Sequence, residues 1–318
     1  MMRPPAFWQR DGILPRLLAP ISAIVAGATA RRVAQPGWRA PVPVVCCGNA
    51  GVGGAGKTTL ALDLGGRLLG RGARVAFLTR GYGGQVTRTM RVYPSHEAAD
   101  VGDEALLLAA LAPVFVGADR VDAARAAIAE GATVLVMDDG LQNPGLIKDL
   151  SFLVIDGAAG FGNGRVLPAG PLREPAHAAA RRCRAAVLIG PDASGAAMAL
   201  PSGLPVLRAT LRPEANGLAG ARVFAFAGIG RPAKFFATLA ASGAVIVGQQ
   251  PFPDHHSFRP AELRKLARRA EALGAALVTT PKDAVRLPPE WRARVAVAGV
   301  TLAWADETPL EALLADVA

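Results

Sequence analysis

The stretch that most constrains this chain is VVCCGNAGVGGAGKTTLALDLGG, Val44 to Gly66. A β-branched run breaks into a glycine-rich turn, and apolar residues at helical spacing begin just after it. Gly51, Gly53 and Gly56 fit the GxGxxG pattern of dinucleotide folds, yet the same residues run on through Lys57 and Thr58 as GxxxxGK[ST]. The first pattern requires an acid near the end of the second strand to hold a ribose, where this chain carries Thr79 and Arg80. The second requires a lysine for the β/γ-phosphates and a hydroxyl for Mg²⁺, and both are present. The stretch is therefore read as a phosphate-binding loop for a nucleotide of the ATP type. Gly51, Gly53, Gly54, Gly56, Lys57, Thr58 and Thr59 line it.

Such a loop needs a second anchor for Mg²⁺ on a neighbouring strand. ATVLVMDDG, residues 132–140, ends a hydrophobic run in Asp138 and Asp139, which places two carboxylates at the carboxyl edge of a parallel sheet. Read alone, DDG is a turn; behind a phosphate loop it becomes a candidate metal site.

Around this centre, strands are expected at 43–47, 73–79, 132–137, 151–155 and 185–189, with helices at 57–71 and 119–130 between them. Alternation of this kind builds βαβ units and a mostly parallel sheet covered on both faces. Gly- and Pro-rich sequence follows, and the pattern then restarts with strands at 223–227, 245–247, 276–280 and 300–303. A length of 318 residues also suits two domains. The expected organisation is an α/β/α sandwich of the P-loop NTPase type at 41–200, a linker at 201–220, and a smaller α/β/α domain at 221–318. A helical segment at 1–40 precedes them.

That first segment is amphipathic. Ile13, Leu14, Leu17, Leu18, Ile21, Ile24 and Val25 recur at helical spacing between Arg10, Arg16, Arg31 and Arg32. Fourteen residues between Arg16 and Arg31 are too few to span a bilayer. A secretory signal is disfavoured by Pro15 and Pro20 and by the nucleotide loop that follows. An interfacial helix with Trp8 and arginines at head-group level fits, and so does a helix packed on its own core.

An excess of 35 Lys+Arg over 25 Asp+Glu gives a net charge of +10, which favours anionic partners. With 5% aromatic residues and no helix-turn-helix or RNA-binding signature, nucleic acid is not among them. Three cysteines without CxxC spacing read as small hydrophobes rather than a disulfide or metal framework.

A guanine-specific switch is disfavoured, because Thr280-Pro281-Lys282-Asp283 lacks the N/T-K-x-D spacing. Three other clusters fit acceptor chemistry: Gly102-Asp103-Glu104, Pro171-Leu172-Arg173-Glu174-Pro175, and Phe252 to Phe258 around His255 and His256. Each also has a plain structural reading, as a helix N-terminus, a surface ion pair and a polar turn.

Together GNAGVGGAGKTT, RGYGG, GDEALLLA, DDGLQN, GRVLPAGPLREP, FAGIGRPAKFF, DHHSF and VTTPKDAVRL resemble, in order, the tetraacyldisaccharide 4'-kinase family. The resemblance implies a two-domain P-loop kinase held by its N-terminal helix on the cytoplasmic face of a bacterial inner membrane. It implies transfer of the γ-phosphate of ATP to the 4'-hydroxyl of an acylated glucosamine disaccharide 1-phosphate, giving lipid IVA. Its partners would be that lipid and the anionic membrane surface, with no protein partner implied. Carried over, Lys57 holds the phosphates; Thr58, Asp138, Asp139 and Glu104 serve Mg²⁺; Asp103 is the base, aided by His255; and Arg173 counters charge on the transferred group. Because Asp103 and His255 fall in different domains, the resemblance also implies a closure step. Leu141 and Asn143 stand where the family has Phe and His, which leaves that histidine's role open. A P-loop enzyme acting on a soluble metabolite and a membrane-associated regulatory NTPase are the competing readings, separated by whether ATP turnover depends on an acceptor.

Overall fold

Apolar runs with no polar side must be covered on both faces, and that requirement sets the architecture. The computed structural model describes residues 5–214 and 217–317. The strands up to residue 190 are Val44–Gly48 (β1), Val75–Thr79 (β2), Met90–Arg91 (β3), Val114–Val116 (β4), Val134–Asp138 (β5), Leu150–Asp156 (β6) and Ala185–Ile189 (β7). They are followed by Val206–Pro213 (β8), Arg222–Ala227 (β9), Val245–Pro251 (β10), Ala276–Thr279 (β11), Ala296–Val297 (β12) and Val300–Trp304 (β13).

Nine strands form one sheet in the order β13-β8-β7-β6-β1-β5-β2-β4-β3, parallel except for antiparallel pairs at each edge. Alternate residues of β1 serve opposite cores. Val45 and Cys47 pack under the helix Lys57–Gly70 through Leu60, Leu64 and Leu68. Val44 and Cys46 pack under Arg120–Ala129 through Ala123, Ala124 and Ala127. At Gly65 the helix comes so close that an added Cβ would stand 2.4 Å from the Phe77 ring. Cys46 and Cys47 are fully buried, and burial pushes the Cys46 thiol up to about 11, as suits small hydrophobes.

A second sheet, β10-β9-β11-β12, is wholly parallel and also covered on both faces. Phe224 and Phe226 face the helix Pro260–Ala272, whereas Val223, Ala225 and Ala227 face Pro232–Ala241.

Two stretches lie where sequence spacing did not put them. Residues 201–220, expected as a linker, contain β8, which pairs with β7 in the large sheet. Its alternation of Leu207 and Ala209 with Arg208 and Thr210 is that of a strand near a sheet edge with one solvated face. The C-terminal stretch, expected in the second domain, also returns to the large sheet. β13 pairs with β8, and Leu302, Leu310, Leu314 and Val317 complete the core over β1. Arg67 of the phosphate-loop helix clamps this return through Glu307 and Glu311.

At the N-terminus the apolar run is divided at Leu18 into Ile13–Leu17, which contains Pro15, and Ala19–Val33, which has Pro20 in its first turn. Ser22 and Thr29 face inward, and Val25 packs on the core. Ile13, Leu14, Leu17, Ile21 and Ile24 face outward, Ile13 being 81% exposed. Trp8 does not project with them: its indole N–H donates to the Pro168 carbonyl at 3.0 Å.

Candidate active site

β1 lies at the middle of the large sheet, so the loop after it opens at the carboxyl edge between β5 and β6. Gly53 and Gly56 adopt φ of 112° and 93°, the left-handed region that favours glycine. An added Cβ at Gly56 would also stand 2.6 Å from Ile189 Cδ1. The loop is tied to the 171–173 segment, because Val52 N donates to the Pro171 carbonyl at 2.8 Å and Arg173 N to the Ala50 carbonyl at 2.7 Å.

Lys57 Nζ donates to Asn49 Oδ1 at 3.1 Å and stands 3.7 Å from Asp139. The register Cys47↔Asp138 brings the end of β5 beside the loop, where Thr58 Oγ1 donates to Asp138 Oδ2 at 2.8 Å. Asp138 is buried, and desolvation pushes its carboxyl up to about 6 against the pull of Lys57 and the Thr58 hydroxyl. Its other oxygen is buried without a hydrogen-bond partner. The Thr58 hydroxyl and the two Asp138 oxygens, one of them without a partner, form a hard, oxygen-only set that fits Mg²⁺.

The other two expected metal residues are engaged elsewhere. Asp139 pairs in a fork with Arg173 at 2.8 and 3.0 Å. Burial would push its carboxyl up, but the Lys57 and Arg173 charges overcome burial and hold it below the usual range. Glu104 pairs with Lys282 at 2.5 Å and acts on Asp138 only through space. Among the described residues no three His, Cys, Asp or Glu side chains converge as a metal site. Arg173 also donates to Gln142 Oε1 at 3.2 Å, and Gln142 donates in turn to Glu174 and to the Asn49 carbonyl, each at 2.8 Å.

Asp103 opens the helix Asp103–Ala109 on the same side of the sheet, since Gly102 packs on the Tyr82 carbonyl just beyond β2. It is 4% exposed, and His255 Nδ1 lies 2.8 Å from its Oδ2. The sequence separation of 152 is closed by the small sheet, which presents His255 in the loop after β10. Among the described residues, the non-glycine positions with positive φ are Asp139, at 56°, and His255, at 58°. Such backbone costs roughly 1 kcal/mol or more and gathers at functional sites. His256 is structural by contrast, stacked on Phe252 and bonded to Glu262.

The structure therefore brings Lys57, Thr58, Asp138, Asp139 and Arg173 together, and separately joins Asp103 to His255. It adds residues that spacing alone does not single out. Asn49 anchors Lys57, Gln142 links Arg173 to the loop, and Lys282 and Arg286 meet the Asp103-Glu104 pair from the small sheet. The signal for the last two is the tract VTTPKDAVRL, whose Lys and Arg are four apart. Leu141 is buried against Gly48, so that departure from the family pattern is accommodated by packing; the Asn143 backbone carbonyl accepts from Lys148, while its side-chain Oδ1 is buried without a hydrogen-bond partner.

The sequence pattern of a family described as tetraacyldisaccharide-1-P 4'-kinase matches residues 14–318. A tetraacyldisaccharide 4'-kinase of Gluconacetobacter diazotrophicus is 59% identical, covering 98% of this chain and 97% of that one. One of Rhodospirillum centenum is 52% identical, covering 99% and 96%. The crystal structure of LpxK from Aquifex aeolicus in complex with ATP superposes with a TM-score of 0.77 at 27% identity, covering 96% of this chain and 99% of that one.

Proposed function

The chain belongs to the tetraacyldisaccharide-1-P 4'-kinase family, and from that premise we infer that it transfers the γ-phosphoryl group of ATP to the 4'-hydroxyl of a tetraacylated glucosamine disaccharide 1-phosphate, a step of lipid A biosynthesis. The observation that carries this reading is a phosphate loop, with Thr58 on Asp138, sharing one edge of the sheet with a buried carboxylate–imidazole pair.

In this reading the loop amides and Lys57 bind the phosphates, and Asn49 fixes the lysine. Thr58 and Asp138 would hold Mg²⁺, which would supply positive charge against the phosphates. Asp103 accepts the proton of the attacking hydroxyl, and His255 orients the carboxylate from the other side. Arg173, pre-set by its fork to Asp139, offers a planar cation to charge that spreads over the transferred group. The chemistry asked of the protein is chiefly positioning and neutralisation.

We further place the enzyme at the cytoplasmic face of the inner membrane. Among the described residues no helix is long and apolar enough to cross a bilayer. The outward row from Ile13 to Ile24 and the net charge of +10 support contact with an anionic surface. Turnover of ATP with and without the acylated disaccharide tests the function: a kinase consumes ATP in step with acceptor, whereas a regulatory switch hydrolyses it alone.

A further inference from the structure

Arg286 has no role in the chemistry described so far, yet it is among the most enclosed charges of the small sheet's edge, its side chain 6% exposed. A buried guanidinium is costly unless its charge and its donors are met. Here Nη1 donates to the Gly228 carbonyl at 3.0 Å and to the His256 carbonyl at 3.3 Å, and stands 3.3 Å from Asp283 Oδ1. Asp283 is itself fixed by the Thr280 hydroxyl at 2.6 Å and the Gly228 amide at 3.0 Å. These contacts tether the guanidinium through Nη1, while Nη2 is buried without a hydrogen-bond partner.

From that fixed position Nε stands 3.1 Å from Asp103 Oδ2, the same oxygen that His255 Nδ1 meets at 2.8 Å. The Nε contact lies off the line of a hydrogen bond, so it acts chiefly as an ion pair. Neither contact uses Oδ1. Four residues earlier, Lys282 pairs with Glu104, so the tract grips both adjacent carboxylates.

We propose that Arg286 is a positioning residue for phosphoryl transfer: it fixes Asp103 through Oδ2, together with His255, so that Oδ1 is presented to the acceptor hydroxyl. The inference rests on Asp103 being the base. Arg286 touches neither nucleotide nor acceptor in this account; it acts through Asp103 and through the His256 carbonyl, next in the chain to His255. A carboxylate freed to rotate by an ångström loses alignment worth on the order of 100-fold in rate.

The test is a set of steady-state measurements on the full chain with ATP and micellar tetraacyl disaccharide 1-phosphate. Arg286→Gln should lower kcat about 10- to 100-fold with the KM for ATP within about twofold, and Arg286→Lys should recover part of the loss. In an Asp103→Asn background the same Arg286→Gln change should have little further effect, because its target is gone. If Asp103→Asn alone leaves kcat intact, the assignment of the base fails. If Asp103→Asn is inactive while Arg286→Gln keeps wild-type kcat, or if the two losses multiply, the positioning role is overturned. Should Arg286→Gln not fold, Arg286→Lys decides: a reduced kcat at unchanged KM for ATP supports the role, and a wild-type kcat overturns it.

Discussion

His255 Nδ1 lies 2.8 Å from Asp103 Oδ2 although one side chain belongs to the small sheet's loop and the other to a helix on the large sheet. The carboxylate–imidazole pair therefore exists only where the two halves meet. Lys282–Glu104, at 2.5 Å, and Arg231–Asp156, at 3.0 Å, join the same halves.

Asp103→Asn should lower kcat by roughly 10²- to 10⁴-fold while leaving ATP binding near wild type, since it removes the proton acceptor and not the phosphate loop. His255→Gln should cost less, and the double variant should be no worse than Asp103→Asn alone. Single-turnover rates beside nucleotide titrations check both statements.

Asp138 carries a sign that opposes stability to function. Its folded carboxyl sits at about 6 against an ordinary 3.8, so the native state holds its proton more tightly than the unfolded chain does. The buried charge then costs stability that appears as pH rises from about 4 to about 6, by at most roughly 3 kcal/mol. Asp138→Asn should raise the melting temperature of the nucleotide-free protein at pH 7 to 8, lose that advantage toward pH 4, and abolish transfer. Melting curves across that range check it; a destabilised variant at pH 8 contradicts the assignment.

Arg173 makes a two-pronged contact that an ammonium does not reproduce. Arg173→Lys is expected to retain ATP binding yet lose at least about 100-fold in kcat, close to Arg173→Ala. Recovery of most of the rate by lysine would show that charge alone is needed.

The phosphate loop was legible because its residues are contiguous: Gly56, Lys57 and Thr58 state their chemistry at fixed spacing, and the Asp138-Asp139 pair ends the neighbouring strand. Arg286 and Lys282 were not, since what gives them meaning is a carboxylate some 180 residues away, and only folding supplies that distance. Asp103 and His255 took on roles only through family resemblance. The edges of the large sheet escaped for another reason: β8 alternates between flanking glycines and prolines, so its signal reads as a loop until β13 pairs with it.

That return of the chain gives its own test. Leu310 and Leu314 are fully buried in the core over β1, so Leu314→Ala should destabilise the large sheet by about 2 to 5 kcal/mol. Denaturant midpoints check it, and hydrogen exchange should show the loss spreading to the helix Lys57–Gly70, which Glu311 ties to Arg67.

The exposed row on the N-terminal helices gives the last prediction. Replacing Ile13, Leu17 and Ile24 with serine removes apolar surface that no core uses, so melting should be unchanged while partition onto anionic vesicles falls by at least about tenfold. Equal vesicle binding by the variant would remove this face from membrane contact.

The most direct measurement of the central claim is the position of the new phosphate after the purified enzyme acts on tetraacyl disaccharide 1-phosphate with ATP, read by mass and by phosphorus NMR. A single added phosphomonoester at the 4'-hydroxyl is expected, formed by the wild type and not by Lys57→Ala. Phosphate on another hydroxyl, or ATP hydrolysis with the lipid untouched, would contradict it.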